Sequence, residues 1–180
     1  MRVFVTGASG WVGSAVTRDL IAAGHQVLGL ARSDASAKAV AAAGAEVHRG
    51  ALDDLDSLER GAAACDGVIH TAFIHDFSDF AASCATDKAA IEAIGAVLER
   101  SGRPLLVTSG TLGLPPGRLG TEDDAAAAVL PRKSEEVGLA MAARGVRAMV
   151  VRLAPSVHGD GDHGFVATLV RTAREQGFAT

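Results

Sequence analysis

The stretch M-R-V-F-V-T-G-A-S-G-W-V-G-S, Met1 to Ser14, decides the fold. A short apolar run ends at Thr6 and meets Gly7, Gly10 and Gly13, and Val12, Val16 and Leu20 then recur at four-residue steps. The run reads as a strand, the repeat as a helix with one apolar side, and the glycines as the turn between them. Alone, the GxxGxxG spacing is weak in a chain with 21 glycines. Between a strand and a helix, each glycine has a task. Gly7 permits the tight turn, Gly10 lets a diphosphate approach the backbone, and Gly13 lets helix and strand pack closely. Free N–H groups and the positive end of the helix then face an anion. The competing reading is an ordinary glycine-rich turn.

The same alternation continues outward from this stretch. Val3–Thr6, Gln26–Leu30, Ala45–His48, Gly67–His70, Leu105–Thr108 and Ala148–Arg152 are brief aliphatic runs bounded by Gly, Asp or Pro, and read as strands. Helices are expected near 11–23, 35–43, 54–63, 77–100, 122–144 and 163–176. Several of them end at a glycine: Gly24, Gly44, Gly102, Gly145 or Gly177. Strands this apolar need cover on both faces, and right-handed crossover helices supply it. The expectation is an α/β domain over 1–180, a Rossmann-type doubly wound parallel sheet of about six strands in the order 3-2-1-4-5-6.

Composition narrows the partners. With 48% hydrophobic and 21% charged residues the chain is globular rather than disordered. Basic residues are scattered under a net charge of −4, so no nucleic-acid surface is indicated. No run of 18 apolar residues suggests a membrane span, and the first strand starts at the second residue without a leader, so a soluble cytoplasmic protein is expected. Cys65 and Cys84 lie far apart and suggest neither a disulfide framework nor a metal knuckle. There is no tyrosine.

The second strand carries the group that reads the adenosine ribose of a bound dinucleotide, about 20 residues past the loop. Here Ala31 stands where an NAD site places a carboxylate, and Arg32 and Ser33 follow. Arg32 can fork onto a 2′-phosphate with Ser33 as second donor, which favours NADP. In the competing reading Arg32 is solvated and Asp34 takes the ribose, giving NAD. After the third strand, Leu52-Asp53 could flank the adenine, while Asp53 or Asp54 could equally cap the next helix.

T-G-A-S-G-W-V-G, Leu52-Asp53, V-I-H-T-A-F ending strand four, L-L-V-T-S-G ending strand five and V-R-L-A-P-S-V-H-G-D-G after strand six come in a recognisable order. Together they resemble the extended short-chain dehydrogenase/reductase superfamily of NAD(P)-dependent epimerases, dehydratases and reductases. The resemblance implies that Gly7, Ser9, Gly10, Trp11, Val12 and Gly13 hold the diphosphate, and that Thr71, Ala72 and Phe73 line the cofactor's middle. It places Pro155 and Val157 at the nicotinamide end, and Ser109 or Thr111 at the family's hydrogen-bond donor to substrate oxygen. Ser109 could instead be a turn residue satisfying its own backbone.

The family's acid/base is a tyrosine activated by a lysine four residues on. Aligning Ser134-Glu135 with the family's usual Ser-Lys puts Pro131 at the tyrosine and Glu135 at the lysine, as in atypical members. Substitutes are sought nearby. Lys133 could donate a proton if burial lowers its pKa, and Arg132 could hold a carbonyl or carboxylate oxygen; both could also be solvated charges of a first helical turn. His158 lies in the loop after strand six, at the carboxyl end of the sheet where ligands bind, and could act as a general acid. The H-G-D-G-D-H stretch from His158 to His163 lacks an evident third ligand, so no metal is expected. His70 is expected to be a structural hydrogen-bonder, and His75-Asp76 either a substrate contact or a helix cap.

The family usually continues into a smaller lobe over the substrate, and this chain stops inside the helix after strand six. It is expected to be a fragment or a minimal form. Long helices near 77–100 and 122–144 could pair into a homodimer, as they do in the family. Three functions follow: an atypical NADP(H)-dependent oxidoreductase of small carbonyl compounds, a non-catalytic NADP(H) redox sensor, and a sugar-nucleotide epimerase or dehydratase.

Overall fold

Alternating side chains divide the first strand between two cores: Val3 and Val5 face one side, Phe4 the other. In the computed structural model, which describes residues 1–76, 78–126 and 131–178, that strand is β1 (Arg2–Thr6). It lies in a parallel sheet with β2 (Gln26–Ala31), β3 (Glu46–Arg49), β4 (Gly67–His70), β5 (Pro104–Gly110) and β6 (Arg147–Leu153). The strand order is β3-β2-β1-β4-β5-β6, as the alternation of elements predicts. The strands stay parallel but the order in which the chain adds them reverses between β1 and β4, so the crevice at their carboxyl ends is the place for a ligand.

Among the described residues there are six α-helices, five of which bury side chains against the sheet. On one side α1 (Trp11–Ala22) contributes Leu20 and Ile21, and α2 (Asp34–Ala42) contributes Ala37 and Val40, against Val3, Val5, Val27 and Ala31. On the other, α3 (Leu55–Ala63), α4 (Phe80–Leu98) and α5 (Ser134–Ala140) bury Leu58, Ile91, Ile94, Leu98 and Val137 against Phe4, Leu28, Leu105 and Val107. Removing one such aliphatic side chain from water is worth about 1.5–3 kcal/mol, so these layers supply the main driving force. Gly61 lets α3 close on Phe4, because a Cβ there would come within 2.4 Å of the ring. The last helix, α6 (Phe165–Gln176), has no buried residue.

Two expected helices differ. Residues 122–124 form a turn and bend, 125–126 are irregular, 127–130 lie outside the described residues, and α5 begins only at Ser134, continued by a 3-10 turn at Met141–Arg144. Pro131 lacks an N–H and clashes with the preceding turn, so a helix cannot run through it. The alanine-rich composition of 122–144 concealed this boundary. The α5 helix turns Ser134, Glu135, Val137 and Gly138 inward.

The second difference is α4, which starts at Phe80 under an Asp79 side-chain cap on the Ala82 N–H (3.0 Å). Asp76 does not cap it; its carboxylate accepts from the Ser78 N–H and hydroxyl. Of the Asp53-Asp54 pair, Asp54 is the cap of α3.

Candidate active site

The loop after β1 is built around close approach. Gly7 holds φ +69°, and the Gly10 N–H donates to the Gly7 carbonyl at 2.8 Å. A Cβ on Gly13 would fall 2.1 Å from that same carbonyl oxygen, whereas one on Gly10 would meet only it, at 3.1 Å. The inner side is therefore closed and the outer side open. Ser33, Asp54 and Asp79 cap α2, α3 and α4 with their side chains, but Gly10 at the start of α1 provides none and the first turn holds no acid. The uncapped N–H groups and dipole at the start of α1 suit an anion such as a diphosphate. The Thr71 hydroxyl donates to the Thr6 carbonyl (2.7 Å) and the Ala72 N–H to the Thr6 hydroxyl (3.3 Å), which stitches the end of β4 to this loop. Gly159 comes within side-chain reach of the Trp11 ring, 3.5 Å for a Cβ placed on it, so the loop after β6 reaches back to α1. Pro155, Val157 and His158 lie exposed on that loop.

At the end of β2 the expected groups are present but partly engaged. Arg32 is exposed. The Ser33 hydroxyl accepts from the Ser36 N–H and forms a capping box with it. Asp34 pairs with Arg49 at 2.6 Å, and Arg49 is the register partner of Ala31. Sequence reading missed Arg49 because only the strand register brings it beside residue 31. Leu52 is buried in the core beside the exposed Asp53.

Beneath the cleft runs a chain of buried polar groups. His70, fully buried at the end of β4, meets the Thr6 hydroxyl through Nδ1 (3.0 Å) and Asp87 through Nε2 (3.2 Å). The other oxygen of Asp87 accepts from Ser134 Oγ at 2.5 Å, and Ser134 Oγ accepts from Arg132 Nε at 2.7 Å. With the ring hydrogen on Nε2, Nδ1 accepts from the Thr6 hydroxyl and Asp87 receives a donor at each oxygen. The Thr108 hydroxyl caps the His70 carbonyl at 3.1 Å. His70 is thus the structural hydrogen-bonder expected, while Asp87 went unnoticed. Its one legible signal was a lone acid among the inward residues of a long helix.

Arg132 ends the chain at the cleft. Its guanidinium lies 4.1 Å above the Phe73 ring, and Nη2 donates to the Thr108 carbonyl at 3.2 Å. Burial pushes its pKa down and the charge of Asp87 opposes that. It stays a cation, because free guanidinium titrates far above neutrality. Phe73 packs edge-on to His75 and against Phe80. Arg132, Lys133, Ser109, Gly110, Glu135 and Leu139 line a cleft of about 390 Å³. Lys133 Nζ stands 3.2 Å from Glu136.

Glu135, at the family's lysine position, is buried and held by Arg152, which donates Nη2 at 2.5 Å and Nε at 2.9 Å. Ser109 is the register partner of Arg152 on β5, and its side chain adds to the lowering of the Glu135 pKa. Arg152 also donates to the Thr121 and Asp124 carbonyls, tying the loop after β5 to the sheet. Thr111 lines a second hollow of about 380 Å³ with Glu135 and Arg152. Fixed in this way, Glu135 is a structural anion rather than a proton donor.

The pair gives a pH signature. Arg152 foremost, with Ser109, holds the Glu135 pKa below the usual carboxylate range; the Arg118 side chain foremost brings Asp124 to about 2. A depressed folded pKa adds stability above the unfolded carboxylate value of about 4.3, lost as pH falls through the folded value. Thermal unfolding followed from pH 7 to pH 3 should show Tm falling below about pH 4, and Glu135→Gln should flatten that fall. An unchanged acid limb in the variant would contradict the pairing.

A six-stranded sheet of this order, with a glycine turn after its first strand and an uncapped helix behind it, defines a Rossmann-type domain. The family model of the NAD dependent epimerase/dehydratase family matches residues 3–97, and the chain belongs to that family. It is 50% identical to an uncharacterized protein of Schizosaccharomyces pombe over 98% of this chain, and 44% identical to one of Saccharomyces cerevisiae over 98%. It spans 61% of the length of each of these relatives. Among solved structures, the Bordetella bronchiseptica enzyme WbmG in complex with NAD superposes with a TM-score of 0.76 at 24% identity, covering 99% of this chain and 60% of that one. No described helix is long and apolar enough to cross a membrane.

Proposed function

We propose that this chain is the dinucleotide-binding part of an atypical oxidoreductase that reduces or oxidises a small carbonyl-type substrate with NADP(H). One observation carries the reading: Arg132 stacks on Phe73, which directly follows the Thr71-Ala72 segment bonded to the glycine loop. A fixed cation therefore stands beside the segment assigned to the cofactor's middle, on the way to its nicotinamide end. When bound, the nicotinamide supplies or accepts hydride. Gly7 to Gly13 hold the diphosphate, and Arg32 and Ser33 take the 2′-phosphate side. Thr71, Ala72 and Phe73 line the middle, and Pro155 and Val157 the nicotinamide end. Arg132 holds the substrate oxygen without releasing a proton. Lys133, His158 or an ordered water delivers the proton, and Ser109 and Thr111 shape the wall. NAD is the alternative cofactor if Asp34 leaves Arg49 for the ribose.

Fluorescence titration tests the cofactor. NADPH should bind at least tenfold more tightly than NADH, and Arg32→Ala should erase the difference, about 1.4 kcal/mol. Tighter NADH binding would overturn the 2′-phosphate assignment. Screening small aldehydes, ketones and enones for NADPH oxidation, in Lys133→Ala and His158→Ala as well, tests the chemistry. Turnover unchanged in both variants leaves water as the donor. A redox sensor is the second reading, favoured by the engagement of Glu135, at the family's lysine position, with Arg152. It prevails if NADPH binds and no carbonyl is turned over.

A further inference from the structure

Asp87 presents a physical problem. It is fully buried, on a helix whose other inward residues include Ala90, Ile91, Ile94 and Leu98. A carboxylate taken out of water costs several kcal/mol even when paired, and a well-packed apolar residue generally holds a helix to a sheet as well or better. What the carboxylate does that an apolar residue cannot is orient donors. Its two oxygens receive one donor each from opposite directions. His70 approaches from the β4 side, itself against Thr6 beneath the glycine loop, and Ser134 approaches from the first turn of α5.

Ser134 passes that orientation to Arg132. With its hydrogen committed to Asp87, its oxygen is left as an acceptor facing Arg132 Nε. The guanidinium plane is then fixed at three points: Nε on Ser134, Nη2 on the Thr108 carbonyl, and its face on the Phe73 ring. A lysine has no planar fork and could not satisfy all three. Nη1 has no partner among the described residues and belongs to a side chain that lines the cleft. Asp87 also balances the cation without touching it.

We propose that Asp87 and Ser134 are positioning residues that seat the Arg132 guanidinium against Phe73, so that it stands as a fixed holder of the substrate's carbonyl oxygen. The seat is read from the hydrogen bonds; the oxygen it holds rests on the oxidoreductase reading. Asp87 and Ser134 touch neither substrate nor cofactor and act only through Arg132.

The test follows the Arg132 Nε–H by NMR in the full chain labelled with nitrogen-15 arginine, assigned by its loss in Arg132→Ala. In the wild-type chain this hydrogen should exchange at least tenfold more slowly than those of exposed arginines such as Arg32 and Arg171. Ser134→Ala should erase the protection, Ser134→Thr should restore it to within about twofold, and Asp87→Asn should weaken it. On a carbonyl that the wild type reduces, Ser134→Ala should lower kcat about tenfold or more and leave the dinucleotide Kd within about twofold. Protection that persists in Ser134→Ala overturns the seat, and a kcat unchanged in Ser134→Ala overturns its hold on the substrate oxygen. If the exchange pattern follows expectation and no carbonyl is reduced by the wild type, the seat stands and the oxidoreductase reading fails.

Discussion

Asp87→Ala is expected to destabilise the fold by about 3–5 kcal/mol, the cost of breaking a buried charge arrangement by removing one partner. Three losses combine. The His70 Nε2–H and the Ser134 hydroxyl each lose a buried acceptor, worth about 1–3 kcal/mol apiece when nothing replaces it, and Arg132 loses the charge that offsets its own burial. Water reaching the gap, or a turn of the His70 ring, would recover part of this, so the sum stays below the separate costs. A domain of this size holds about 5–15 kcal/mol in all, so the variant should remain folded with little margin. Urea unfolding is the measurement, with a midpoint lowered by about 2 M at a slope near 2 kcal/mol per M. Asp87→Asn keeps the shape and one acceptor, and should lose less than half as much. A loss under about 1 kcal/mol for Asp87→Ala would mean that the carboxylate does not bear these donors.

Gly13→Ala should weaken dinucleotide binding at least a hundredfold, about 2.7 kcal/mol. The new Cβ would sit 2.1 Å from the Gly7 oxygen and 2.7 Å from the Gly7 carbonyl carbon and the Thr71 hydroxyl. The first two neighbours are backbone and cannot swing aside. Either α1 shifts away from β1 or the loop opens, and both move the N–H groups out of place. The same overpacking should cost about 1–3 kcal/mol of stability. Gly10→Ala separates the two effects. Its Cβ approaches only the Gly7 oxygen, at 3.1 Å, and projects toward the open side. Binding should fall in that variant while the unfolding midpoint barely moves. Wild-type affinity in Gly13→Ala would show that the ligand lies elsewhere.

The sheet was legible because its signal is local and repeated. Each strand is a short aliphatic run, several helices end at glycines of positive φ, and the strand-turn-helix at Met1 to Ser14 sets the first pairing. The glycine loop was legible for the same reason. The boundary before α5 was harder, because alanine-rich sequence carries helical propensity up to Pro131 and the proline has to be weighed above it. The polar chain was not legible, since Thr6, His70, Asp87, Ser134 and Arg132 come from four elements and the segment before α5, and meet only through packing. His70 could be suspected from its place at a strand end. Asp87 could be suspected only as a misplaced acid. Ser109, Glu135 and Arg152 show the same limit: substitution at the family's lysine position is visible in sequence, but its counter-charge is set by the β5–β6 register.

These observations give one account of how a chain without tyrosine could keep a working cleft. In the proposed reading the glycine loop holds the diphosphate, the position of the missing lysine is a structural anion, and a seated guanidinium takes over the substrate oxygen. A crystal structure with NADP bound tests this most directly. The account predicts the diphosphate on the N–H groups at the start of α1, the 2′-phosphate at Arg32, and Arg132 as the charged side chain nearest the nicotinamide C4. A dinucleotide bound away from the glycine loop, or a nicotinamide with Arg132 turned from it and another ionisable side chain at C4, would contradict it.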